Sequence, residues 1–301
     1  MKRTRAICRL ALALVLLLSG CTAVERVGKA GKQTLSGFAP PADYAHAVAV
    51  VPFSDATGDQ VSLDPGLAGA VVSEAAQWCK DRAVFMDLAP ENAAPPATSP
   101  LGLDKAGAFT GRAREQGANL VLGGILWRSI ITKEKRGIYG FRDEVPMIQA
   151  QMNLWVYDTL TGAKVLDKTI TCESLLEKKK QKGMEVEAVG YCPADLRGEL
   201  SAQATHELCN ALPDIRWRAF IVSAEGKDLT ITAGAAQGLS IGDILSVHER
   251  GETVAGTVSR SYVVPGPETG KARVASVSEN QAALELTEGS LPGPGGWVTA
   301  D

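Results

Sequence analysis

The chain has 301 residues, 45% hydrophobic and 22% charged, with a formal net charge of −3. That much apolar side chain can fill a core, while 31 Lys plus Arg against 34 Asp plus Glu leave no basic excess for nucleic-acid binding. Three His in the whole chain offer little for acid-base or metal chemistry, so the expectation is a protein that is not an enzyme and carries no cofactor and no metal.

Lys2, Arg3, Arg5 and Arg9 precede an apolar run from Leu10 to Leu18, the charged start and short hydrophobic stretch of a secretory signal. Spanning a bilayer takes roughly 20 apolar residues, and this run is shorter. It ends in Leu18, Ser19, Gly20 and Cys21, a tetrad that resembles the bacterial lipobox. In lipoproteins with that tetrad the signal is cut before the cysteine, which is then acylated. The resemblance implies a signal peptide over 1–20, lipid (palmitate) attachment at Cys21 and a lipidated tether over 21–43. Thr22 stands where an Asp would mark retention at the inner membrane, which implies the periplasmic face of the outer membrane, with its lipid as one partner. The alternative is an ordinary cleaved signal with an incidental cysteine.

Loss of residues 1–20 removes four basic groups and takes the net charge from −3 to −7. Cys79, Cys172, Cys192 and Cys209 then remain beside the anchor, and an even number in an oxidising compartment favours disulfides. Among the possible pairings the expectation is Cys172 with Cys192, closing a charged loop, and Cys79 with Cys209, joining two helices. A zinc site is the weaker alternative, because no pair has CxxC spacing.

The β-branched run Ala47 to Phe53 suits a strand covered on both faces, with Asp55 to Asp59 as a turn. Leu67, Val71, Ala75 and Cys79 recur every four residues, which predicts a helix over Asp64 to Lys80. Ala83 to Leu88 reads as a strand, Ala89 to Pro100 as a proline-rich loop, and Asp104 as the cap of a helix ending before Gly117. Asn119 to Trp127 returns to strand. Ile148 to Tyr157 alternates apolar and polar residues with period 2, and Asp158 to Gly162 turns the chain into a strand over Lys164 to Cys172. Leu196, Leu200, Ala204 and Leu208 mark a last helix between Pro193 and Pro213. The intervening stretches Arg128 to Glu144 and Lys178 to Lys182 carry dense charge and read as solvated loops.

This order predicts an α/β domain, a mixed sheet with flanking helices, over 44–212. From Ile215 the pattern changes to short strands at Ala219 to Ser223, Leu229 to Ala233, Ile244 to His248, Ala272 to Ser276 and Ala282 to Leu286, separated by glycines. A small all-β barrel over 215–301 is the expectation, and Ala219 to Gly234 and Ala272 to Gly289 repeat one plan within it. In Gly238 to Asp243 (GLSIGD), Leu239 and Ile241 are expected to plug the barrel's end.

The segments AVAVVPF with DATGD, GANLVLGG at Gly117 to Gly124 and YDTLTGAK at Tyr157 to Lys164 resemble the periplasmic domain of the TolB amino-terminal and curli-secretion lipoprotein type. GLSIGDILSV, GKARVASV and the glycine-rich Gly295 to Val298 resemble the SH3-like domain of the flagellar assembly protein T family. The combined resemblance implies a lipid-anchored periplasmic scaffold for the flagellar basal body or a related envelope machine, with assembly proteins and further copies of the chain as partners. The curli relatives imply an alternative, an outer-membrane pore subunit; a lipoprotein activator of peptidoglycan synthesis is a third. Against a pore stand the charges between Arg128 and Glu144, since a lipid-facing Lys or Arg at the bilayer midplane costs about 2–4 kcal/mol.

Asp55, Asp59 and Asp64 lack the alternating spacing of a calcium loop and read as turn and cap residues. His46, His206 and His248 have no nucleophile-elbow sequence to serve and read as structural or exposed. Trp155 shares a strand face with Gln residues, which makes it the candidate for partner contact.

Overall fold

The computed structural model describes residues 44–55, 66–88, 106–138, 141–175, 180–181, 184–185, 194–256 and 261–300. The first lobe runs β1 (His46–Val50), β2 (Ser54–Asp55), α1 (Leu67–Trp78), β3 (Ala83–Asp87), α2 (Ala106–Glu115), β4 (Leu120–Ile138), β5 (Phe141–Asp158), β6 (Lys164–Leu175), β7 (Lys180–Gln181), β8 (Met184–Glu185) and α3 (Ala194–Ala211). The second runs β9 (Arg218–Glu225), β10 (Asp228–Ile231), β11 (Ile244–His248), β12 (Glu252–Ala255), β13 (Ser261–Val264), β14 (Glu268–Val277), β15 (Ala282–Gly289) and β16 (Trp297–Ala300).

The apolar run Ala47–Val50 of β1 must be covered on both faces, and all five residues of the strand, His46 included, are buried. It pairs in parallel with β3 on one side and β4 on the other, and the sheet continues antiparallel through β5 to β6, giving the order β3-β1-β4-β5-β6 with β2 beside β4. Val48, Val50, Leu122, Met152 and Leu154 meet Leu67, Val71 and Ala75 of α1 and the fully buried stripe Leu196, Leu200, Ala204 and Leu208 of α3. Each such Leu or Val contributes about 1.5–3 kcal/mol by leaving water. Hydrogen bonds from Ser201 to Glu74 and from Thr205 Oγ1 to the Val71 carbonyl (3.3 Å) fix the two helices against each other. On the opposite face Ala49, Val51, Val121, Trp155 and Tyr157 pack against Phe109 and Ala113 of α2. Gly117, at φ +87°, ends α2, and the Ala118 amide reaches back to the Ala113 carbonyl at 2.8 Å.

The charged stretch Arg128 to Glu144, expected as a loop, continues β4 and β5 as a ribbon paired from Leu120–Asp158 out to Ile138–Phe141. β6 accompanies it only as far as the Met147–Leu175 pair, so residues 133–138 and 141–146 form a two-stranded extension. Charge does not oppose a strand that meets water on both faces. Ile130, Ile131 and Thr132 favour extended backbone, and the register sets Lys135 opposite Glu144, a favourable cross-strand pair. The Lys178 to Lys182 stretch likewise contains a short hairpin, with Lys180 paired to Glu185 and Gln181 to Met184.

In the second lobe six strands close a barrel in the order β10-β15-β14-β11-β16-β9, and β12 with β13 forms a separate ribbon. Leu229, Ile231, Leu245, Val247, Ala272, Val274, Leu284 and Val298 fill the interior. The repeated plan seen in the sequence corresponds to the hairpins β9–β10 and β14–β15, joined along β10 and β15. Gly238 and Gly242 take φ of +91° and +99°, values that favour glycine. Leu239 is 4% exposed and belongs to the barrel core, but Ile241 is 72% exposed and plugs nothing. The cause is a tight turn: Asp243 Oδ2 accepts the Ser240 amide at 2.8 Å, which leaves Ile241 at the outward tip of the turn. The two lobes belong to one compact unit, Tyr44–Asp301.

Candidate functional site

The polar groups that lose most water lie where the barrel meets the sheet. β1 enters the sheet from Tyr44, whose ring packs on Trp217 (centroids 4.8 Å apart) and whose hydroxyl donates to the Asp243 carboxylate. Burial is the main cause that drives the Tyr44 phenol far above its ordinary pKa, and Asp243 adds to it. The main chain of Ala45 is held from the barrel side at both ends: its amide donates to the Gln237 carbonyl (2.9 Å), and its carbonyl accepts from Trp217 Nε1 (3.1 Å).

From β9, Arg218 reaches into the sheet lobe. Its Nη1 donates to Asp158 Oδ2 at 2.6 Å, and the side chains are 12% and 6% exposed. Asp158 closes the turn after β5 by accepting the Leu160 amide on Oδ1 at 2.8 Å, so one carboxylate serves turn and ion pair together. Asn119, just before β4, donates from Nδ2 to the Arg218 carbonyl at 3.0 Å. The guanidinium carbon lies 5.5 Å from the Trp297 ring centre, and Trp297 stacks on His248 at 4.0 Å with planes 9° apart. His248 Nε2 lies 3.1 Å from Thr299 Oγ1, and burial lowers its pKa.

His46 sits in the same layer. Burial lowers its pKa to about 4, with the Arg218 cation acting in the same direction and the Leu212 and Ile215 carbonyls opposing it, so the imidazole is neutral at pH 7. Among the described residues, Asn119 Oδ1 and Arg218 Nε are buried without a hydrogen-bond partner. A closed arrangement of this kind fixes one part of a molecule against another. Among the described residues no group of three His, Cys, Asp or Glu side chains is placed to hold a metal ion.

Of the residues singled out in the sequence, Cys21 and Cys192 lie outside the described residues, as do Asp59 and Asp64. Cys172 is buried on β6. Cys79, just past α1, and Cys209 of α3 are joined by a disulfide, with Cα atoms 5.6 Å apart. Trp155 is 8% exposed and leaves almost nothing for a partner to touch. Its ring lies over Gly123 on the facing strand and edge-on to Tyr157, under α2. The Gln residues on its face lie farther along β5 beyond that helix, where Gln149 donates to Glu173 (2.8 Å) and Asn153 accepts from Thr169 (2.6 Å). One face of one strand is thus buried at one end and polar at the other.

Asp158 stood in a recognised turn motif, but nothing in sequence spacing linked it to Arg218, 60 residues away. Among the described residues no helix is long and apolar enough to cross a membrane.

No family model and no curated protein matches the chain. Solved structures with a similar trace include the hypothetical protein CT253 from Chlamydia trachomatis, at 11% identity and a TM-score of 0.35 over 57% of this chain and 99% of that one. Lipoprotein GNA1162 from Neisseria meningitidis is 12% identical with a TM-score of 0.32, covering 55% of this chain and 99% of that one. The PelC dodecamer from Paraburkholderia phytofirmans is 21% identical with a TM-score of 0.27, covering 57% and 89%.

Proposed function

We propose that this protein is a non-enzymatic scaffold, held by acylated Cys21 on the periplasmic face of the outer membrane and serving assembly of the flagellar basal body or a related envelope machine. The observation that carries the reading is the junction. Arg218, Asp158, Asn119, Trp217 and the Ala45 main chain hold barrel and sheet in one fixed relation, as a template for other proteins requires. The lipobox-like tetrad before Cys21 supports the anchor. The test is deletion in the native host, followed by affinity capture of the tagged chain from detergent-solubilised envelopes. Loss of flagella with recovery of basal-body proteins is expected; unchanged flagellation and unchanged envelope complexes refute the role.

The extension of β4 and β5 past β6 favours a second reading, in which copies of the chain join their ribbons into a pore. Both outer edges of that extension lack a strand partner among the described residues. A membrane strand, however, needs about 9–11 residues with one apolar face, and the adjacent exposed residues Lys133, Glu134 and Lys135 put charge on both faces. Conductance in planar bilayers would establish the pore; its absence from ring-forming preparations would dismiss it.

A further inference from the structure

Trp78 ends α1 with 75% of its surface exposed, more than any other large apolar side chain among the described residues. Trp155, Trp217 and Trp297 are all buried. An exposed indole costs solubility unless something covers it, and its flat apolar ring with one N–H suits the boundary between headgroups and acyl chains. Trp78 is also held in place, because the next residue, Cys79, is bonded to Cys209 of α3. In the turn that follows, Lys80 and Arg82 are exposed, with Asp81 between them, so the turn is net cationic in an acidic chain. Arg82 Nη1 also donates to the Cys209 carbonyl at 3.4 Å.

The place of this turn in the fold indicates its occupant. The His46 amide donates to the Arg82 carbonyl at 2.7 Å, and His46 pairs with Ala83. The chain that leads back to Cys21 therefore joins the folded unit at Tyr44, which is fixed on Trp217 and stands two residues before the His46 that bonds the Arg82 end of this turn. We infer that the Trp78–Arg82 turn is a membrane-docking surface that places its indole and cations in the headgroup layer of an anionic phospholipid bilayer. This rests on the acylation of Cys21 proposed above: an anchor joined at the same end of the sheet raises the local concentration of bilayer, so a weak contact suffices.

The test uses the full chain purified from bacterial membranes, with intact mass reporting acylation of Cys21. The protein is mixed with or reconstituted into vesicles of phosphatidylethanolamine and phosphatidylglycerol (3:1) whose acyl chains carry bromine, a short-range quencher of indole fluorescence. The expected result is quenching that Trp78→Phe largely removes at unchanged melting temperature, and that Lys80→Glu weakens together with its salt dependence. An acylated chain with no Trp78-dependent quenching overturns the docking surface and leaves the anchor standing. An unacylated chain with Trp78-dependent quenching does the reverse. Self-association that depends on Trp78 and persists without vesicles, with no quenching when they are added, assigns the indole to a second copy and also overturns the inference.

Discussion

Arg218 and Asp158 form a 2.6 Å ion pair in which neither side chain is more than 12% exposed, and this pair crosses from the barrel to the sheet. Removing one member of a buried pair strands the other charge, which costs about 3–5 kcal/mol, whereas replacing both with apolar side chains of similar volume is often neutral. Asp158→Ala is therefore expected to lower the unfolding free energy in urea by roughly that amount. The double variant Asp158→Leu with Arg218→Met should recover most of it. Equal losses in single and double variants would show that the pair itself, and not a stranded charge, carries the stability.

His46 makes stability depend on pH in a defined window. Its folded-state pKa is lowered from 6.5 to about 4, so between those values the unfolded chain binds more protons than the folded one. Stability is fully present above pH 6.5 and falls as pH drops toward 4, by about 3 kcal/mol in total at roughly 1.4 kcal/mol per unit. His248, also lowered by burial, adds a change of the same sign. Urea titrations at intervals from pH 7 to pH 4 should show a shallower decline for His46→Gln than for the natural chain. Parallel curves would remove His46 from the account.

The disulfide between Cys79 and Cys209 closes a segment with a sequence separation of 130. In the chain-entropy account a loop of that size contributes about 4–5 kcal/mol by restricting the unfolded chain. The double variant Cys79→Ser with Cys209→Ser should therefore melt well below the natural chain by calorimetry. It should nevertheless keep the same far-ultraviolet circular dichroism at low temperature, because α1 and α3 also share an apolar core.

Gly123 is matched to Trp155, since a Cβ at that position would run into the indole ring. Gly123→Ala should cost about 1–3 kcal/mol by overpacking. Adding Trp155→Phe should relieve part of that cost, giving a coupling energy in a double-mutant cycle. Additive losses would mean the two residues act separately.

Leu239 and Ile241 are neighbours in one turn with opposite environments. Leu239→Ala should cost about 2–5 kcal/mol, while Ile241→Ala should stay within about 0.5 kcal/mol. Comparable losses at both positions would return Ile241 to the core.

The sequence by itself determined most of the elements, because hydrophobic periodicity is a local property. The apolar run of β1, the four-residue stripe of α3 and the barrel strands β9, β10, β11, β14 and β15 are legible in their side-chain spacing. It did not reveal the continuation of β4 and β5 through charged residues, since a strand wet on both faces has no apolar period. Only the tertiary structure decided which residues meet. Trp155 is buried because a distant glycine and α2 cover it, Ile241 is exposed because Asp243 turns the chain, and Arg218 finds Asp158 across 60 residues. Burial and charge pairing are set by what the folded chain brings alongside a side chain, and that is not encoded in the residues immediately before and after it.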